Sequence, residues 1–323
     1  MRKEKINNKN KLKIFNVNKE KPKVLLLGTG LVQSGGVSPN WRKIIIELSK
    51  DETNTKGKDM LLGVPHSIQA TIAIDSDDQK RYSKYKYFFE NEYPYYQNDL
   101  IKEILKIQFD AVLTTNYSYD LEDNIVFGFP KLPDSSKRKY AYSTTNAVDK
   151  KYLIHNYYRM NVNEEVIQDI WHIHGEARKR KSMVLTHDEY AKSINAILNY
   201  SKMRKKDYTY NRDNLKFESW VDYFIFGDIY IVGLGYDFSE FDLWWLMNRR
   251  SREKTGFGNV YFFTPQSKFF EYTPIETALM RLGVNVEHCG MCLTGDKEED
   301  NTVFKEFYKR SINKIKQIID SKK

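Results

Sequence analysis

The chain has 323 residues, 41% of them apolar, including 23 Tyr, 18 Phe and 5 Trp. That is enough to bury a large core, which excludes wholesale disorder and fits one large domain with room for an inserted subdomain. The net charge is +9, and the two cysteines, Cys289 and Cys292, exclude a disulfide scaffold and a four-thiolate zinc site. No apolar run reaches the roughly twenty residues of a membrane helix, and the basic N-terminus has no apolar stretch behind it. A cytoplasmic protein without membrane association is expected.

The charge sits at the ends. Residues 1–23 carry nine Lys/Arg against Glu4 and Glu20, and residues 305–323 carry seven against Glu306 and Asp320. The body between them is slightly acidic. Solvated ends are the plain reading, and docking onto an acidic partner or nucleic acid is the alternative. No basic stripe with interleaved aromatics marks the body, so direct nucleic-acid binding stays open.

Residues 1–22 read as a basic flexible tail. KVLLLGTG (23–30) is a buried strand running into a glycine turn. Pro39 suits the first turn of a helix continued by WRKIIIELSK (41–50). Residues 51–98 read as an irregular insertion with a helix broken at Pro65. NDLIKEILKI (98–107) is a capped helix, and FDAVLTTN (109–116) is a second buried strand. Residues 123–168 read as another irregular insertion. IQDIWHIHG (167–175) is a strand, and SMVLTHDEY (182–190) a strand entering a helix over 188–205. LKFESWVDYFIF (215–226) has helical period. GDIYIVGLGYD (227–237) is a strand with a glycine turn, and SEFDLWWLMNRRSRE (239–253) a helix capped by Ser239. NVYFFTP (259–265), PIETALMRLG (274–283) and VNVEH (284–288) read as strand, helix and strand. A basic helix closes the chain within 296–323.

This alternation predicts an α/β fold: a Rossmann-like open parallel sheet with helices on both faces and an inserted, partly irregular helical subdomain. Ligands of such sheets sit outside the carboxyl ends of the strands. Gly28-Thr29-Gly30, Thr115-Asn116, His174-Gly175, Gly233-Leu234-Gly235 and Asp237 all follow predicted strands, so they form the candidate site. Gly28 and Gly30 would let backbone N–H groups approach phosphate. Gln33 stands where the dinucleotide fingerprint wants a third glycine, which disfavours an ordinary dehydrogenase. Asn116 offers a neutral carboxamide for a ribose hydroxyl or water, or else a turn cap. His174 offers a base near neutrality. His172, two residues earlier, faces the other side of the strand and reads as packed and satisfied. Cys289-x-x-Cys292 lacks partners for a zinc tetrad, so no metal is expected. Trp244 and Trp245 read as core. Of Asp237 and Asp242, one would cap the helix and one meet a ribose hydroxyl.

The segments LLLGTG (25–30) with SPNW (38–41), LTTNYSYDLE (113–122), IHG (173–175) and IVGLGYDFSEFDLWWL (231–246) together resemble the SIR2-like, sirtuin-clan family, in its bacterial anti-phage defence branch. The likeness runs over 23–295. It implies a domain that takes NAD+ as substrate, with Asn116 and His174 as the catalytic pair. Gly28, Thr29 and Gly30 would face the pyrophosphate, Thr115 and Ser118 would line the same pocket, and Gly233, Gly235 and Asp237 would lie near the adenosine ribose. Ser118 stands where the family often carries Asp. Two cysteines cannot build the zinc module of the deacetylating members. The implied activity is NAD+ hydrolysis to nicotinamide and ADP-ribose, silent until triggered through a homo-oligomer or a sensor in trans, of ATPase, translocase or argonaute type. A non-catalytic NAD+ or ADP-ribose sensor and an ADP-ribosyl transferase are the alternatives.

Overall fold

The computed structural model describes residues 12–34, 44, 64–73, 98–128, 154–162, 165–177, 182–252, 257–266, 271–290 and 297–322. Its strands are β1 (Ile14–Phe15), β2 (Lys23–Leu27), β3 (Ala111–Thr114), β4 (Tyr158–Val162), β5 (Glu165–His172), β6 (Leu215–Lys216), β7 (Asp228–Val232), β8 (Val260–Thr264) and β9 (Asn285–His288). Seven of them form one sheet in the order β4-β5-β3-β2-β7-β8-β9. Every pairing in it is parallel except β4 against β5 at one edge. β1 and β6 make a separate antiparallel ribbon.

The central strands β2, β3 and β7 are buried on both sides and read as nearly continuous apolar runs. Alternate side chains of the sheet feed two cores. Val24, Leu26, Leu113, Trp171, Ile229 and Ile231 enter the first. There they meet α5 (His187–Met203), α7 (Trp220–Phe226) and α8 (Phe241–Arg252). Leu25, Leu27, Val112, Ile170, Tyr230 and Val232 enter the second. There they meet α1 (Thr29–Gln33), α3 (Asp99–Leu105), α4 (Asp120–Gly128) and α10 (Lys297–Asp320). The apolar stripe of α10, Phe307, Tyr308, Ile312, Ile315 and Ile319, is buried, each side chain contributing roughly 1.5–3 kcal/mol. The remaining helices are α2 (His66–Ala73), α6 (Lys205–Tyr210) and α9 (Pro274–Arg281).

Local chemistry sets the helix starts. Asn98 caps α3 by accepting from the Leu100 and Ile101 amides. Thr186 with Glu189, Ser219 with Asp222, and Thr273 with Glu276 form reciprocal capping boxes for α5, α7 and α9.

Several boundaries differ from the sequence reading. Residues 12–22 are no free tail: Val17 is fully buried, and Phe15 packs on Phe217 with ring centroids 4.7 Å apart. Residues 123–168 hold the rest of α4, the antiparallel edge strand β4 and the start of β5, so this segment completes the sheet. Ser182–Leu185 is not a strand, because it packs against the His174 turn, where the Val184 amide donates to the His174 carbonyl. Leu215–Lys216 forms β6, and the helix waits for the Ser219 cap. Ser239 is not a helix cap. It sits in a turn, donates to Asp237, accepts from the His66 amide, and α8 starts at Phe241. Apart from Ile44, the helix read over 41–50 lies outside the described residues, as do the SPNW segment and much of the two insertions.

The order of the sheet reverses between β2 and β7, which places a ligand crevice at their carboxyl ends. There the turns after the two strands touch backbone to backbone. The Gly28 amide donates to the Val232 carbonyl (3.1 Å) and the Gly30 amide to the Gly233 carbonyl (2.8 Å). A Cβ on Gly28 would lie 2.4 Å from the Gly233 oxygen, whereas one on Gly235 would meet nothing within 4 Å. Gly28→Ala should therefore cost about 2 kcal/mol or more through backbone overlap. Gly235→Ala should stay within about 0.5 kcal/mol of wild type. Urea unfolding of both variants checks this, and equal losses would contradict it.

Candidate active site

The crevice is a cleft of about 300 Å3. Thr29, Thr115, Asn116, Ser118, His174, Gly233, Gly235 and Asp237 line it. Leu234 lines it as well, and so do His66, Tyr117, Tyr236 and Glu240, which the sequence reading did not single out. The fold thus brings together residues from the ends of β2, β3, β5 and β7. Gly28 and Gly30 lie behind the lining. Their amides are spent on the neighbouring turn, so of that trio only Thr29 faces the cleft. The physical demand on those two glycines is the close approach of two turns.

Asn116 follows β3 directly and is almost fully buried. Its amide donates to Thr114 Oγ1 (3.1 Å), and its Nδ2 donates to the Gly28 carbonyl at 3.4 Å. Among the described residues its Oδ1 has no hydrogen-bond partner. A buried, unpartnered carboxamide oxygen costs about 1–3 kcal/mol, and here it borders the cleft. Behind it, His172 Nδ1 donates to the Asn116 carbonyl (2.8 Å), and His172 Nε2 meets Glu122 Oε1 (2.8 Å). Burial would push His172 down, but Glu122 outweighs it and raises it to about 9. His172 is packed and satisfied, as expected, and it also clamps the backbone of Asn116.

His174 lies beyond the end of β5, in a turn that Gly175 closes with φ +87°. A Cβ on Gly175 would lie 2.1 Å from the Ser182 carbonyl oxygen, so glycine is required there. The imidazole is buried between two carboxylates. Nε2 is 3.2 Å from Asp242 Oδ1, and Nδ1 is 3.4 Å from Glu240 Oε2. Ser193 donates to the other Asp242 oxygen (3.1 Å), and Tyr190 donates to Glu240 (3.3 Å). Burial would lower His174, but Asp242 and Glu240 outweigh it and lift it to about 9. Burial raises Glu240 to about 7 despite His174. Asp242 is thus neither a helix cap nor a ribose ligand: it is fully buried and holds the ring.

His174, Glu240 and Asp242 place one ligand atom each within 4.8 Å of one another. The ion pairs across the ring account for this closeness. The two carboxylates approach opposite ring nitrogens. Cys289 is buried in the core, its thiol pushed up by burial, and Cys292 lies outside the described residues.

Asp237 accepts from the Ser239 amide (2.8 Å) and hydroxyl. Burial lowers His66 despite the nearby Asp237. Ser118 donates to Asp120, whose carboxyl is raised by burial. The run DFSEFD (237–242) was the signal for the missed carboxylate. Glu240 and Asp242 straddle the start of an amphipathic helix, where an acidic side chain is ordinarily read as a cap.

Residues 110–285 match the family model of the SIR2-like domain. That is just over half of the chain, and the chain belongs to this family. SIR2-like domains bind NAD+, and the family includes NAD-dependent enzymes, so the protein is of an NAD-using class. No curated protein matches the chain. Among the described residues, no helix is long and apolar enough to cross a membrane.

His172, His174 and Glu240 all bind protons more tightly folded than unfolded, so each loses its contribution as pH rises. Glu240 acts between its ordinary 4.5 and about 7, and the two histidines between 6.5 and about 9. Stability should be highest at the acidic end of this range and fall through pH 9. His174→Gln should flatten the upper part of the decline. Denaturant midpoints taken across pH 6–9.5 test this, and a wild-type stability rising over that interval would refute it.

Proposed function

We propose that the protein is an NAD+ glycohydrolase, cleaving the nicotinamide–ribose bond to give nicotinamide and ADP-ribose. The observation that carries this reading is Asn116, whose buried oxygen has no partner among the described residues, lining the same cleft as a carboxylate-flanked imidazole. The cleft falls at the small end of ligand pockets, about 300–1,000 Å3, which suits the reacting nicotinamide–ribose half. In this reading Asn116 holds a water or a ribose hydroxyl through Oδ1. The C1′–N bond breaks with its electron pair passing to the pyridinium nitrogen. Water oxygen bonds C1′, and its proton passes to the protein.

The proton acceptor is the His174–Glu240–Asp242 unit. An imidazole held at about 9 is already protonated at neutral pH and is a poor lone base. Glu240, lifted to about 7 and lining the cleft, has the affinity a base needs. Asp242 keeps the ring in place. Thr29, Thr115, Ser118, Gly233, Gly235 and Asp237 surround the rest of the dinucleotide, with no metal assigned to the reaction. As a defence effector that depletes NAD+, the protein would stay silent until a second copy or a sensor in trans engages it.

Incubation of the full chain with NAD+, alone and with candidate ATPase or argonaute-type partners, should release nicotinamide. Asn116→Ala and Glu240→Gln should each lower turnover by about 10²–10⁴-fold with unchanged circular dichroism. Unaltered turnover in Asn116→Ala would refute the assignment. Binding of NAD+ without turnover under every condition would favour the sensor reading. Label carried onto protein or nucleic acid would favour the transferase.

A further inference from the structure

A second cleft, of about 390 Å3, lies at the opposite end of the sheet, where α5 and α8 finish and the chain enters β7 and β8. Lys202, Lys205, Arg212 and Arg249 line it together with Ser201 and Phe257, and no lining residue is acidic. Arg250 is consumed by the fold: its guanidinium donates to the carbonyls of Ile225, Gly227 and Gly258, tying the end of α8 to the turn before β7. Arg212 donates to the Tyr208 carbonyl. Lys202, Lys205 and Arg249 form no ion pair with a described carboxylate. Asp207, close by in sequence, is held by Arg204 at 2.7 Å and stays outside the cleft.

Cations in the last turn of a helix also complement its dipole, and Lys202 and Arg249 stand in such turns. That effect asks for nothing concave and explains no hydroxyl. Ser201, however, lines the cleft and is 1% exposed, and among the described residues its Oγ has no hydrogen-bond partner. A helical serine ordinarily returns its proton to the carbonyl one turn back, and a buried orphan hydroxyl costs about 1–3 kcal/mol.

We propose that this cleft is a binding site for a phosphorylated small ligand. Lys202, Lys205 and Arg249 would take the phosphate oxygens, and the Ser201 hydroxyl would donate to one of them at the floor. A confined cleft with a buried donor fits a compact phosphate group better than a nucleic-acid backbone, which needs an open track of charge. The proposal does not rest on NAD+ cleavage.

Calorimetric titration of the full chain with inorganic pyrophosphate tests it. Lys202→Ala/Arg249→Ala should weaken binding by about tenfold or more. Ser201→Ala should weaken it by about three- to tenfold without lowering the melting temperature. Lys309→Ala, on the exposed side of α10, should bind like wild type. Absence of binding at millimolar pyrophosphate, or equal weakening in Lys309→Ala, would overturn the proposal. Tighter binding of a single-stranded oligonucleotide through the same residues, with steep salt dependence, would overturn it in favour of nucleic acid.

Discussion

The cleft exists because two strand-end turns meet with no side chain between them. Gly28 and Gly30 give their amides to the carbonyls of Val232 and Gly233, which locks the end of β2 to the end of β7. This contact sits where the strand order reverses, so the chain leaves the sheet in opposite directions on its two sides. A crevice opens in front of the glycines, and β3 and the turn after β5 deliver Asn116 and His174 to it. Side chains at 28 or 233 would push the turns apart, since Gly233 also takes φ +66°.

Around that contact the protein spends buried charge. His172 and His174, two residues apart, are each buried against acidic groups, but on different sides of the β5 end. One clamps the backbone of Asn116 through its carbonyl, and the other sits in the cleft wall between Asp242 and Glu240. Buried ion pairs of this kind repay their desolvation only when the remaining polar atoms are bonded. Ser193 and Tyr190 supply those bonds from α5. Among the described residues the Asn116 Oδ1, beside this buried network, has no such partner.

The same two helices reach both clefts. α5 carries Tyr190 and Ser193 near its start and Ser201 and Lys202 near its end. α8 carries Asp242 near its start and Arg249 near its end. The elements that orient His174 thus also carry residues of the second cleft.

The sheet was legible because its strands are short apolar runs bounded by glycine and polar turns, as in KVLLLG and DIYIVG, and Asn98 marks the start of a helix. These are local signals, read from a few adjacent residues. The edge strand β4 escaped because its pairing partner is supplied by β5, not by its own pattern. The polar residues after the strand ends could be placed on one rim from topology alone. What those residues do there could not be. Glu240 and Asp242 look like ordinary helix-start acids until the fold sets them on either side of an imidazole from another strand. Gly28 and Gly30 look like a phosphate loop until β7 takes their amides. Sequence alone settled which segments pack, since burial follows from periodicity. Tertiary structure decided which polar groups are paired and which are left open, since partners so distant in the chain leave no local signature.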